Sequence, residues 1–296
     1  MLSICIAIYN RDVSALVSDL CAQADALGVE YEVVVIDDAS DESYFIANKK
    51  ITDFPKVVFV RNGHNIGRAA IRNLLAETAR YPYLLFMDCD TTVTHNDFLK
   101  KYIDEIPAGV VSGGYEYGDV PPQKENLLRW CYGRKRETTP AEIRNINPNA
   151  SFSTFNFLIA KEIFSKITFD TTLQGYGHED TLFGIELEKN GIKVRHIDNP
   201  LRHDVSVSTD KFLAQTRNAI DNLLIVSKKF PEGNEIIDNI SLLKTYRKLV
   251  AYKMIPLYRF FYFMFNPLIK RNLYSEHPSM FMFDLYKLGY LVSLRK

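Results

Sequence analysis

The chain has 296 residues, 47% hydrophobic and 24% charged, which is ordinary for a soluble globular protein and enough for one large α/β domain with an appendage, or for two domains. Lys+Arg and Asp+Glu both count 36, so the net charge is zero; this removes any global argument for nucleic-acid binding, and no nucleic-acid partner is expected. The cysteines Cys5, Cys21, Cys89 and Cys131 form no C-x-x-C pair, which points to a reducing compartment, and the absence of a basic-apolar leader or an 18-residue uncharged apolar run predicts neither a signal peptide nor a spanning helix.

Residues 2–8 read as a buried strand that ends in Tyr9-Asn10-Arg11-Asp12. Val13, Leu16, Val17, Leu20 and Ala24 then recur at helical spacing, and Gly28 closes that helix. A second strand over 31–36 stops at Asp37-Asp38-Ala39-Ser40-Asp41, and a helix is expected over 44–50. A third strand, 56–60, precedes Arg61-Asn62-Gly63-His64-Asn65-Ile66-Gly67, and 68–79 reads as a helix. The apolar run 84–87 then meets Asp88-Cys89-Asp90. Strands alternating with helices predict right-handed βαβ units, hence an α/β fold with a mostly parallel central sheet flanked by helices. Successive strands end in polar clusters at one edge, the carboxyl edge, where open α/β sheets bind ligands.

Each cluster has a chemical use and a plain structural one. Asp88 and Asp90, two apart on extended chain, can point the same way, and their repulsion is relieved by a hard divalent cation such as Mn2+ or Mg2+. Alone, the pair could simply end a strand and cap the next segment. Asp37 or Asp38 can accept a hydrogen bond from a nucleobase imide, or Asp37 to Ser40 can cap a helix. Asn65 and Gly67 let backbone approach a ligand closely, His64 is placed at the same pocket, and Arg68 and Arg72 can face phosphates at the start of their helix.

Residues 110–115 predict another strand, and 118–148 an irregular insert with a short helix over 126–132. Trp130 there could stack on a sugar or serve as a core residue. Phe169-Asp170 and Gly175-Tyr176-Gly177-His178-Glu179-Asp180 follow, with a helix starting near Glu179 and ending at Gly191; both carboxylates then favour its dipole. Residues 192–197 predict a last strand, followed by His203. His178 and His196 read as structural. Beyond it, 210–229 and 236–253 read as helices, and 254–271 is aromatic with basic ends. That last segment predicts either packing on the catalytic domain or a homodimer, or a peripheral membrane contact.

Four blocks, Ala7-Ile8-Tyr9-Asn10-Arg11, then 34–41 with Asp37-Asp38-Ala39-Ser40, then 65–73 with Asn65-Ile66-Gly67-Arg68 and Arg72, then Phe86-Met87-Asp88-Cys89-Asp90, together resemble a family-2-type glycosyltransferase of the GT-A fold. Ile71 stands where such proteins often carry Ala. The resemblance implies that the first block, Asp38 and the third block surround a nucleotide-sugar, UDP-linked by expectation. Asp88 and Asp90 would hold Mn2+ or Mg2+ on its diphosphate with His203 as third ligand. The Gly-x-Gly-His-Glu-Asp run resembles the block of β-galactosyl- and N-acetylgalactosaminyltransferases. It implies Asp180 as catalytic base and Glu179 on acceptor or sugar hydroxyls, with Trp130, Tyr176, Gly177 and His178 on the acceptor side.

The expected organisation is a catalytic domain over 1–205, with a nucleotide-binding half 1–110 and an acceptor-binding half 111–205, and a helical extension over 206–296. The implied reaction is inverting transfer of a hexose or N-acetylhexosamine to a saccharide or lipid-linked saccharide in cell-surface polysaccharide synthesis, in the cytoplasm or at the inner membrane face. The alternatives are a sugar nucleotidyltransferase, which would normally open with a Gly-rich loop where Tyr9-Asn10-Arg11-Asp12 stands, and a non-catalytic nucleotide-sugar-binding scaffold, which would have lost carboxylates that this chain keeps.

Overall fold

A computed structural model describes residues 1–173, 175–230 and 233–294. The chain divides into two compact units. The first comprises residues 1–118, 137–174 and 179–204; the second comprises 119–136, 175–178 and 205–296.

The first unit is built on the strands β1 (Leu2–Ile8), β2 (Tyr31–Asp37), β3 (Val57–Arg61), β4 (Tyr83–Asp88), β5 (Thr91–Thr92), β6 (Val110–Ser112), β7 (Tyr115–Glu116), β8 (Asn156–Ala160), β9 (Arg195–His196) and β10 (Leu201–His203). A seven-stranded sheet runs β3-β2-β1-β4-β8-β6-β9, and a small one runs β5-β10-β7. β3, β2, β1 and β4 pair in parallel, whereas β8 is antiparallel to both of its neighbours.

The pattern of side chains explains the layers. Along β1 and β2, Ile4, Ile6, Val33 and Val35 meet the helix Ser14–Leu27 through Leu16, Val17 and Leu20. The alternate residues Cys5, Val34 and Ile36 meet the helix Arg68–Thr78 through Ile71 and Leu75. With both faces covered, every residue of β2 is buried, which is why these strands are apolar on both sides through residues 4–8 and 33–36. Gly28 terminates the first helix in the left-handed conformation at φ 64°. Register then sets the functional edge: Ile8 pairs with Asp37, Asp37 with Arg61, and Ala7 with Asp88.

Several elements differ from the sequence reading, among them the strand expected over 110–115, which is split into β6 and β7. β8, a short buried apolar run absent from that reading, is inserted between β4 and β6, where it pairs with strands distant in sequence. The strand expected over 192–197 shrinks to Arg195–His196 and is not the last, since β10 follows it and carries His203. The helix expected over 236–253 is two, Glu235–Asp238 and Ser241–Ala251, because Asn234 caps the first turn and that turn closes at Asn239. The 118–148 insert also holds more order than expected, with helices Leu127–Tyr132 and Ala141–Arg144 around a π-turn at Gly133–Glu137.

The second unit packs Leu128, Phe212, Leu213, Ile269, Leu273, Phe283 and Tyr286 into one core. Its helices include Thr209–Lys229, capped by the Ser208 hydroxyl, Ile255–Leu273 and Met280–Leu294. Among the described residues, no helix is long and apolar enough to cross a membrane.

Candidate active site

The loops after β1, β2 and β3 are tied together by hydrogen bonds. The Asn10 amide N–H donates to the Ser40 hydroxyl at 2.9 Å, and the Asp41 N–H donates to the Asn10 side-chain oxygen at 2.8 Å. Asp38 donates its N–H to the Ile8 carbonyl at 2.9 Å. Its buried carboxylate accepts from the Ile66 N–H at 2.8 Å, the Gly67 N–H at 3.0 Å and the Asn62 amide at 3.2 Å, and Asn65 donates to its carbonyl at 3.1 Å. Asp38 therefore shapes the third loop. Asp37 accepts from the Ser40 N–H at 2.8 Å through one oxygen, while its other oxygen is buried without a hydrogen-bond partner. Asn10 and Ala39 hold left-handed backbone, φ 53° and 62°, sparsely populated for residues with a Cβ. Ala7 and Ile8 close β1 beneath these loops, and Tyr9 is exposed beside them.

A buried arginine links the paired aspartates to the later motif. Arg72, 5% exposed, donates to Asp88 Oδ1 at 2.7 Å, and its other nitrogen lies 3.9 Å from Glu179 Oε1. Asn73, next along that helix, exchanges hydrogen bonds of 2.9 and 3.0 Å with the Phe169 backbone and so pins the approach to Glu179. Burial raises the Asp88 carboxyl, Arg72 and Arg68 pull it down, and Asp90 pushes it up again. Asp180 is pushed up to about 7, first by burial and then by the neighbouring Glu179 carboxylate. The Thr181 N–H donates to its Oδ1 at 2.7 Å. A carboxylate raised into this range is suited to accept a proton near neutral pH.

Asp90 sits against β10. Burial opposes its ionisation, but the hydrogen bond from His203 and the nearby Arg68 and Arg11 outweigh it and hold the carboxyl below the usual range. His203 Nε2 lies 3.5 Å from Asp90 Oδ2, and His203 Nδ1 is buried with no hydrogen-bond partner. His203 Nε2 and Asp90 Oδ2, which face each other, are a nitrogen and an oxygen donor of the kinds that suit Mn2+ chemically. Asp88 is turned to Arg72, and among the described residues no three His, Cys, Asp or Glu side chains stand together as a metal cluster. The Cys89 thiol between the aspartates is pushed up to about 12 by burial and then by Asp90 and Asp88, so it is held as a neutral group.

Asp204 was not legible as a site residue. It accepts from Arg11 at 2.7 Å and from the Thr92 hydroxyl at 3.0 Å, and its N–H donates to the Asp90 carbonyl at 2.9 Å. Its position one residue past His203 was the available signal. Trp130, Tyr176, Gly177 and His178 belong to the second unit. There Arg134 lies 4.9 Å from the Trp130 ring. Asn218 accepts from the Tyr176 N–H, and Asn222 donates to the Tyr176 and Gly177 carbonyls. Gly177, at φ 96°, stands so close to the helix Thr209–Lys229 that a Cβ would lie 2.6 Å from that of Ala219, which makes the second glycine a packing requirement.

The parallel sheet with convergent polar loops defines an α/β protein with a candidate ligand-binding site at the carboxyl edge of its sheet, and comparison with solved structures agrees on the fold. S. aureus TarS 1-349 in complex with UDP superposes with a TM-score of 0.51 at 21% identity, over 75% of this chain and 65% of that one. A mannosyltransferase, PcManGT from Pyrobaculum calidifontis in complex with GDP-Man and Mn2+, gives 0.51 at 15% identity, over 78% and 65%. Residues 3–168 match the model of "Glycosyl transferase family 2", and the chain belongs to that family. It is 38% identical to an uncharacterized glycosyltransferase of Haemophilus influenzae, over 75% of each. It is 25% identical to the chondroitin synthase of Escherichia coli over 68% of this chain, and there it spans only about a third of the relative's length, 34%.

Proposed function

We propose that this protein is an inverting glycosyltransferase that moves a hexose or N-acetylhexosamine from a UDP-sugar to a saccharide or lipid-linked saccharide, in cell-surface polysaccharide synthesis. The observation that carries this reading is the Arg72 guanidinium. It lies against Asp88 at the end of β4 and near Glu179 at the start of a helix, so carboxylates from the two motifs stand around one cation, which supports reading them as the donor and acceptor sides of one centre.

In this reading the loops after β1, β2 and β3 hold the nucleoside, with the shape of the pocket set by Asp38 and Asn10. Arg68 and Arg11 offer positive charge to the diphosphate. Asp180 accepts the proton of the acceptor hydroxyl as it attacks the anomeric carbon from the face opposite the leaving nucleotide, which inverts the configuration. Glu179 orients the acceptor or sugar hydroxyls. Asp90 and His203, with Asp88, would hold Mn2+ or Mg2+, which supplies charge to offset that of the departing diphosphate. The structurally similar mannosyltransferase with Mn2+ and TarS with UDP support the cation and the nucleotide. The Gly-His-Glu-Asp run leans to galactose or an N-acetylhexosamine. Four free cysteines support a reducing, cytoplasmic setting.

The experiment is transfer from a panel of UDP-sugars, with product configuration read by NMR. Asp180→Asn should bind UDP with unchanged affinity and lose transfer; transfer surviving in that variant removes Asp180 as the base.

A further inference from the structure

The helix Ile255–Leu273 is apolar on both faces. One face packs on the helix Met280–Leu294. Tyr262 occupies the space left by Gly289, where a Cβ would stand 2.1 Å from its ring, and the Tyr258 hydroxyl donates to the Leu285 carbonyl at 3.0 Å. The other face presents Leu257, Phe260, Phe263, Met264, Phe265 and Leu268 to water, at 45% to 77% exposure. Positions 257, 260, 264 and 268 are three and four apart, so they form one continuous stripe. An open apolar surface of this kind marks an interaction site.

Charge decides which partner fits. From Ser241 to Tyr274 the sequence has seven basic residues and no acidic one, within a chain of zero net charge. Lys244, Lys248, Lys253, Lys270 and Arg271 are all exposed. A symmetric second copy would set this segment against its own like charge, which opposes association. An anionic bilayer is complementary, because basic side chains meet the headgroups while aromatic rings enter the boundary with the acyl chains.

We propose that residues 241–274 seat this protein on the surface of an anionic lipid bilayer, with the helix Ile255–Leu273 lying in the interfacial plane and Phe260 and Phe263 turned towards the acyl chains. The helix lies on the bilayer; it is not apolar enough to cross it. The inference is independent of the transfer chemistry.

The test is co-sedimentation of the full chain, without donor or acceptor, with phosphatidylcholine vesicles containing or lacking phosphatidylglycerol. The protein should pellet with the anionic vesicles and be released as salt rises. Lys270→Glu with Arg271→Glu should weaken partitioning by about 30-fold or more. Phe260→Ser with Phe263→Ser should weaken it by about a hundredfold. Circular dichroism and UDP binding check that both variants, altered only at exposed positions, remain folded. Equal binding to neutral vesicles, or binding unchanged in both variants, overturns the proposal. So does a concentration-dependent dimer that the serine variant dissolves while no vesicles are bound. Loss of sugar transfer with vesicle binding intact counts against the proposed reaction and leaves the membrane surface standing.

Discussion

Replacing Asp180 by Asn should stabilise the protein at the same time as it removes the proposed base. The carboxyl is raised from 3.8 to about 7 by burial and then by Glu179. A carboxyl raised on folding holds its proton more tightly in the folded chain, so its contribution to stability is fully present below pH 3.8 and is lost as pH climbs through about 7. At about 1.36 kcal/mol per pH unit, the penalty for ionising Asp180 in place grows from about 1.5 kcal/mol at pH 5 to about 4 kcal/mol at pH 8. Asn preserves the shape and never ionises. Relative to the parent, the variant should therefore gain about 2.5 kcal/mol between those two pH values, a further rise in Tm of about 5 to 10 °C. Thermal melts of both proteins at the two pH values measure this directly. A stability difference that stays constant with pH would refute the argument that Asp180 is held as a high-pKa carboxyl. The same shift predicts that transfer by the parent rises with pH through about 7, as the base loses its proton.

Arg72→Met leaves Asp88 and Glu179 facing each other without their cation; with Asp88 partly exposed, the loss should be about 2 to 3 kcal/mol in urea unfolding, and UDP binding should weaken with it. Asp38→Asn keeps an acceptor for one of the Ile66 and Gly67 N–H groups and turns an amide donor towards the other, which should cost about 1 to 3 kcal/mol and loosen the third loop, read as faster amide exchange there and a raised Kd for UDP. A chelator should stop turnover, with Mn2+ restoring it, and His203→Ala should raise the Mn2+ concentration needed; undiminished rates in a chelator would remove the metal from the reaction.

The four strands β1 to β4 and their polar ends were readable because β1, β2 and β4 are buried on both faces, the half-exposed edge strand β3 is still an apolar β-branched run, and each loop follows in chain order. β8 was not, since its place between β4 and β6 is set by pairing with partners distant in sequence. The roles of Asp38 and Arg72 were half legible. Their chemistry was visible, but a reading that aims Arg72 at phosphates cannot know that a carboxylate more than a hundred residues on reaches the same guanidinium. Likewise Gly175-Tyr176-Gly177 and Glu179-Asp180 form one run in sequence, yet the glycines are held by Asn218, Ala219 and Asn222 of a later helix.

What the sequence by itself determined is local and periodic: which runs are apolar on both sides, where polar clusters must leave a sheet, and which residue types can bear charge or bind oxygen. Only the tertiary structure decided which of those charges neutralise one another. Electrostatic and hydrogen-bond energies depend on distances of a few ångströms, and the chain sets those distances by packing elements whose separation in sequence says nothing of their separation in space.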